Sequence, residues 1–547
     1  MTSRLSIAFA ASLLAAASAP AFAAAAPNIS VDTLKDVTRT LSSDAFEGRA
    51  PASPGEEKTV TLIADRFAKA GLQPGNAGSW YQDVPLVEIT AKPDVAIDIS
   101  GGKAPLHFAY KTDMVVGTYQ VQPRVEVKDS DIVFVGYGIN APERGWNDYA
   151  GLDVRGKTVI ILVNDPDWQN PTLEGDFGGR AMTYYGRWPY KYEEAARQGA
   201  AAALIVHDTE PAAYGFNVVT SSWTGPQFNI DSPNGHADQS KAIGWITHDA
   251  AERLMASAGQ DLNRLTAAAK MKGFKAVPLG LKASLTLENT IRKQASRNVV
   301  GILPGKTRPD EYVLYSAHWD HLGRCEPVNG DDICNGAVDN ASGSAALVAI
   351  AEAYGKAPRP ERSVVFLAVT AEESGLLGSA YYAAHPLYPL GKTVGAVNMD
   401  GLNMLGRTRD VVLSGGGKSE LEAYLDREAK AQGRVVKPEP TPEKGYYYRS
   451  DHFSFAKQGV PALSFGAGED LVNGGVTAGK AAAEDYEKNR YHAPADEYDE
   501  TWDWAGALED VQLYYTLGRD LADGNDWPNW YPTAEFRATR DKSRGTQ

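Results

Sequence analysis

Two cysteines among 547 residues leave no second Cys or His pair at the spacing a thiolate metal site needs. Cys325 and Cys334 stand nine apart in "GRCEPVNGDDICNG", and in an oxidising compartment such a pair most simply closes a local disulfide. Positive charge is in deficit too. Lys and Arg number 54 against 69 Asp and Glu, a formal charge of −15, which argues against nucleic acid or an anionic membrane as the main partner. Beyond the N-terminus no apolar run reaches membrane-span length. Internal repeats and long low-complexity tracts are missing as well.

What is present starts with "MTSRLSIAFAASLLAAASAPAFAAAAP". Arg4 precedes an apolar run from Leu5 to Ala17, and Ala21-Phe22-Ala23 fits a cleavage site, so residues 1–23 read as a signal peptide. The run is short for a membrane anchor, and no cysteine stands near the cleavage site to carry lipid. The expected mature protein is periplasmic or secreted. A chain of this length, 43% apolar and 22% charged, is expected to be globular with two or three domains.

Residues 24–129 open with two helical patterns, "SVDTLKDVTRTLSS" and "EEKTVTLIADRFAKAGL", the second stopped by Gly71. A β-rich texture follows, with "DIVFVGYGI", "KTVIILVND" and "AAALIVHD" as its clearest strands, and it reads as an inserted module over 130–280. From 281 to 525 strands alternate with helices: "RNVVGILPG", "EYVLYSAH", "SVVFLAV", "VGAVNMD" and "VPALSFG" against "SGSAALVAIAEAYG", "KSELEAYLDREAKAQG" and "WAGALEDVQLYYTLGRDLADG". The fold class is therefore α/β, a mostly parallel central sheet flanked by helices, with a β-rich insert. Residues 526–547 read as a tail whose Trp527, Trp530 and Tyr531 either pack or meet a partner.

In open α/β sheets ligands bind outside the carboxyl ends of the strands. There the sequence places His318, Asp320 and His321 after one strand, Glu372 and Glu373 after the next, and Asp400 after a third. Asp339 precedes a buried helix and His492 lies in the late loop "NRYHAPADEYDE". Singly, each has an ordinary explanation: Asp339 as a helix N-cap, the glutamates as solvated strand-end charges, a histidine as a packed ring. Together, imidazoles and carboxylates at one sheet edge suit zinc, and their number suits two ions.

The stretches "AHWDHLG", "GAVDNASGSAAL", "TAEESGLLGS", "VNMDGLN", "SDHFSFAKQGVPAL" and "YHAPADEYD" resemble, in order, the di-zinc exopeptidases that include bacterial leucyl aminopeptidases and glutamate carboxypeptidase II. "GKTVIILVNDP" and "EEAARQGAAAALIVHD" resemble a protease-associated domain. The resemblance implies two zinc ions per chain, one held by His318 and Asp400, the other by Glu373 and His492, with Asp339 bridging. It implies Glu372 as general base, Asp320 orienting the imidazole of His318, and a cis peptide at Asp339–Asn340. It also implies a substrate-pocket wall from "KGYYYRSDH", with Tyr447, Tyr448 and Arg449; a surface turn with core aromatics is the alternative. His321 and His452 are expected to pack or support rather than ligate.

The function so implied is an exported aminopeptidase acting on peptides through metal-activated water. A carboxypeptidase of the glutamate carboxypeptidase type would need cations to clamp a substrate carboxylate; Arg449 is one candidate, and the sequence shows no cluster of them. A receptor-like binding module would lack ligands, and none is missing. For the inserted module the resemblance leaves two roles, gating the site or forming a homodimer interface.

Overall fold

The computed structural model describes residues 28–545; the signal-peptide reading over 1–23 lies outside them. Two N-terminal helices, α1 (Val31–Leu41) and α2 (Pro54–Lys69), are capped by Ser30 and Ser53, whose hydroxyls accept from backbone amides of the first turn. Strand β1 (Tyr81–Ala91) then enters the central sheet.

A second sheet follows, and it starts earlier than 130. Strands at Ala96–Ser100, Leu106–Ala109 and Met114–Gly117 belong to it together with β2 (Arg124–Phe134) and the parallel strands Thr158–Leu162 and Ala202–His207. The link between the sheets is one 27-residue strand, β3 (Val277–Leu303). Its first half pairs with β2 and its second half with β1, both antiparallel. Sequence reading had isolated only "RNVVGILPG" at its far end. Yet Leu279, Leu281, Ala283, Leu285 and Leu287 are all buried at a spacing of two, a half-buried strand's signature.

Beyond β3 lie β4 (Arg308–His318), helix α3 (Gly343–Lys356), β5 (Arg362–Val369), β6 (Thr393–Asn398), β7 (Ala462–Ala467) and helix α4 (Ala505–Asp523). The spatial order is β1–β3–β5–β4–β6–β7, with β5, β4, β6 and β7 parallel. Val364, Phe366 and Ala368 of β5 join one core with α1, α2, α3 and α4. Val365, Leu367 and Val369 join the core on the opposite face, shared with the second sheet. Cover on both faces is why β5 is apolar at nearly every position. Register sets the active edge: His318 pairs with Val369, and Ser316 with Asn398, so β4, β5 and β6 end side by side.

The tail is part of this body. Trp530 is fully buried and donates its indole N–H to Gly459 O at 2.9 Å, and Arg540 donates to Thr393 O at 2.8 Å. Cys325 and Cys334 form the expected disulfide on a two-stranded hairpin, Gly323–Val328 against Asp331–Cys334. Among the described residues no helix is long and apolar enough to cross a membrane.

Candidate metal centre

His318 is the last residue of β4 and is buried. Its Nε2 lies 3.1 Å from Asp400 Oδ1 and 3.3 Å from Asp339 Oδ1. The other oxygen of Asp339 is 3.3 Å from His492 Nε2, which in turn is 3.0 Å from Glu373 Oε2. Two clusters, each an imidazole with two carboxylates, thus share one aspartate. Ligand atoms of His318, Asp339 and Glu373 lie within 4.8 Å of one another.

Local backbone aims these groups. Asp339 is not a helix cap: α3 begins at Gly343, and Asp339 sits in a kinked turn, Ala337–Ser342, with a cis bond to Asn340. Its amide and that of Val338 both donate to the Asp496 carboxylate at 3.0 Å. Asn340 ties the neighbouring loops together. It donates to Met399 O at 3.1 Å and accepts from the amides of Gly343 (3.0 Å) and Gly401 (2.9 Å). The spacing of Asp339 from Asp400 is therefore built into this knot.

The two glutamates are held by Asp320, and not in the manner expected. Its carboxylate accepts from the amides of Glu372 at 3.1 Å and Glu373 at 3.4 Å, while its Oδ1 stays 3.8 Å from His318 Nδ1. That imidazole nitrogen meets the Asp320 carbonyl at 3.2 Å instead. Ala371, at a left-handed φ of 53°, turns both amides towards the carboxylate. Fixing that turn points the adjacent side chains apart, Glu373 to His492 and Glu372 to the neighbourhood of His318, Asp400 and Asp451.

Charge in the cluster is one-sided. Burial lifts Glu372 well above the usual carboxylate range, and Asp400, Glu373 and Asp451 add to the lift against the opposing His318. Burial would lower His318, but Asp400 and Glu372, with hydrogen bonds to Asp339 and Asp400, raise it well above its ordinary value. His492 reaches about 10 against burial, through Asp339 and Glu373. Asp320 and Asp451 are pushed to about 7, chiefly by burial. Asp400 and His492 reach solvent, but His318, Asp320 and Asp339 are buried, and so many carboxylates gathered about them favour a cation. The donor set, imidazole nitrogen plus carboxylate oxygen, is of the kind zinc takes.

Three residues support these groups, and the sequence does not signal two of them, Ser450 and Arg49. His321, expected to pack or support, is fully buried and holds Glu373 Oε1 at 2.6 Å through Nδ1. Ser450 donates to Asp400 Oδ2 at 2.6 Å and is itself held by Asn398 at 2.7 Å. Arg49, from the N-terminal segment, is buried and donates to the carbonyls of Leu41, Trp319, Asn335 and Gly336 at 2.6–2.9 Å. His452 is buried against Tyr447, away from both clusters, as a packed ring.

Against the edge lies a cavity of about 570 Å³ whose floor includes Glu372, Glu373 and His492. Tyr448 and Arg449 line it, and the second sheet's domain contributes Tyr119, Tyr184, Arg187 and Trp188. Tyr447, expected in this wall, lies beneath it instead. Its hydroxyl donates to Ala462 O at 3.3 Å and its ring meets His452 edge-on. The Tyr448 hydroxyl is likewise engaged, 2.8 Å from Glu535 and 2.9 Å from Lys418.

Residues 298–516 match the model of peptidase family M28. The M28 segment holds every residue of the two clusters. Over 129 residues the chain is 34% identical to mouse (Mus musculus) "Aminopeptidase NAALADL1", covering 22% of this chain and 16% of that protein. A "Glutamate carboxypeptidase 2 homolog" of Caenorhabditis elegans is 32% identical over 127 residues, 15% of its length. The chain thus spans about a sixth of the length of these curated relatives. Among solved structures, "Aminopeptidase from Aneurinibacillus sp. strain AM-1" aligns over 90% of this chain and 94% of its own, at 20% identity and a TM-score of 0.49.

Proposed function

We propose that the chain is a di-zinc exopeptidase, exported by its N-terminal signal, that removes N-terminal residues from peptides as an aminopeptidase. The observation that carries this reading is Asp339, whose two oxygens each face a different imidazole 3.3 Å away. His318, Asp339 and Asp400 would hold one zinc, and Asp339, Glu373 and His492 the other. Bound there, zinc supplies Lewis acidity, which lowers the pKa of water and polarises a peptide carbonyl.

The chain's own groups do the rest. Glu372 is a half-buried carboxyl beside the clusters, with a raised proton affinity suited to taking a proton from the attacking water and returning it to the leaving amine. Asp320 fixes the turn that keeps Glu372 and Glu373 pointing apart. His321 and Ser450 lock the orientation of Glu373 and Asp400, the outer support that ligands of this kind need. The cavity of about 570 Å³ against the clusters offers room for a peptide end beside Glu372 and His492.

A panel of dipeptides with free, N-acetylated and C-amidated termini tests the reading on purified, zinc-loaded protein. Cleavage of free but not N-acetylated peptides is expected. Equal cleavage of N-acetylated peptides would replace the aminopeptidase reading with a carboxypeptidase one.

A further inference from the structure

Part of the cavity wall is backed by the C-terminal tail. Two cavity-lining rings of the M28 segment, Tyr448 and Phe453, are only 4% and 6% exposed, so what stands behind them sets where their edges lie. Behind Tyr448 is Glu535, a nearly buried side chain that accepts from the Tyr448 hydroxyl at 2.8 Å. Lys418 completes the group. Its Nζ donates to the Tyr448 hydroxyl at 2.9 Å, lies 3.2 Å from Glu535 Oε1 and sits 5.1 Å from the Tyr448 ring centre. Behind Phe453 is Phe536, edge-on with ring centres 6.1 Å apart.

Tyr448 and Phe453 meet each other at 5.3 Å, and both meet Tyr184 of the second sheet's domain, at 6.0 and 4.8 Å. Tyr184 lines the same cavity, and Leu376 and Leu377, from the turn that follows the two glutamates, add apolar surface to it. The tail is anchored firmly enough to hold this wall. Tyr531 N donates to Lys418 O at 2.8 Å, Glu420 N donates to Asn529 O at 2.9 Å, and Phe536 packs 5.2 Å from the buried Trp530. Burial would lift the Glu535 carboxyl, but the charge of Lys418 holds it below its ordinary value. A charge pair taken this far from water is costly unless it is well partnered, and here the third partner is a hydroxyl of the cavity wall. The tail lies beyond the family match, which ends at residue 516.

We propose that Glu535 and Phe536 of the tail are positioning residues for substrate selectivity. They hold Tyr448 and Phe453 so that the wall takes a large apolar N-terminal side chain, an inference that rests on the peptidase reading above. Neither residue touches the reacting bond. Each acts through the ring in front of it, so its loss blunts the choice between substrates rather than the chemistry.

The test compares Leu-p-nitroanilide with Ala-p-nitroanilide on the zinc-loaded enzyme. Wild type should favour the leucine substrate roughly tenfold or more in kcat/KM, for the additional apolar surface buried. The paired replacement Lys418→Met with Glu535→Leu removes both charges at once, which a buried pair tolerates better than losing one partner. Phe536→Leu removes the ring behind Phe453 and keeps an apolar filler. Each should lower the leucine-to-alanine ratio at least about fivefold, through a higher KM for the leucine substrate; a tail that only stabilises the fold would depress kcat for both substrates alike. Glu535→Gln, which keeps an acceptor for Tyr448, should hold the ratio within about twofold of wild type. If the paired variant does not fold, Phe536→Leu decides alone. Calorimetric binding of Leu-Ala and Ala-Ala to zinc-loaded Glu372→Gln protein, with and without Phe536→Leu, reads the wall without turnover. A binding preference for Leu-Ala that Phe536→Leu erases, with no hydrolysis by wild type, would sink the peptidase reading and keep the positioning role. Hydrolysis with no leucine preference in wild type, or with one that survives in the folded variants, would keep the peptidase and overturn the role of the tail.

Discussion

Replacing Arg49 by methionine tests whether the N-terminal segment sets the geometry of the metal centre. The guanidinium is fully buried and spans three places: the end of α1 through Leu41 O, the loop after His318 through Trp319 O, and the approach to Asp339 through Asn335 O and Gly336 O. Methionine fills much of the volume but donates nothing. Four buried carbonyls then lack their donor, at about 1 kcal/mol each after relaxation, so a loss of roughly 4 kcal/mol is expected. Urea denaturation of metal-free wild type and Arg49→Met, followed by tryptophan fluorescence, measures it. Zinc affinity, read by competition with a chromogenic chelator, should fall as well, because both loops that present His318 and Asp339 lose the same anchor. Arg49→Lys should recover only part of each, since an ammonium offers three donors and a shorter reach. A loss below about 1 kcal/mol with unchanged zinc affinity would show that the four hydrogen bonds position nothing.

Glu372→Gln should lower kcat by a factor of a thousand or more while zinc content is kept, and activity within tenfold of wild type would refute the base assignment. Gly343→Ala should weaken zinc binding at least about tenfold, because the new Cβ would fall 2.1 Å from Asn340 Oδ1 and break the knot spacing Asp339 from Asp400; chelator competition gives the value. In the second sheet's core, burial pushes Asp148 up to about 6 from its ordinary 3.8. The folded state therefore keeps a proton that the unfolded chain releases, so this group's contribution is fully present below about pH 4 and is lost as pH rises through 6, about 3 kcal/mol in all. Urea midpoints at several pH values should show that slope in wild type and a shallower one in Asp148→Asn.

Much of the candidate centre was legible because most of its residues follow hydrophobic strands, and parallel strands of one sheet end together. "SVVFLAVTAEE" carries its own address: an apolar run covered on both faces, then charges where the cover stops. Asp339 gave no such signal by position, since a single aspartate before a helix reads equally as a cap; only the kinked turn decides against that. Arg49 was illegible. It lies in no periodic pattern, and it acts on carbonyls far away in the chain, as distant as Gly336. The extent of the second sheet was misjudged for a similar reason. Its first strands are short, and beyond the local hairpin of Ala96–Ser100 with Leu106–Ala109 their partners lie well over a hundred residues away, so a pairing such as Ala283 with Ile99 leaves no local trace. Tyr447 and Tyr448 show the limit of reading a tyrosine-rich run as one wall: adjacent residues point to different places, one into the core and one to the cavity.

The account turns on Asp339 serving two cations at once. Zinc content per chain, measured by mass spectrometry on wild type and Asp339→Ala after dialysis against metal-free buffer, addresses that directly. Two ions in wild type and fewer than one in the variant are expected. Two ions in both proteins would contradict the shared bridge, and none in either would remove the metal centre altogether.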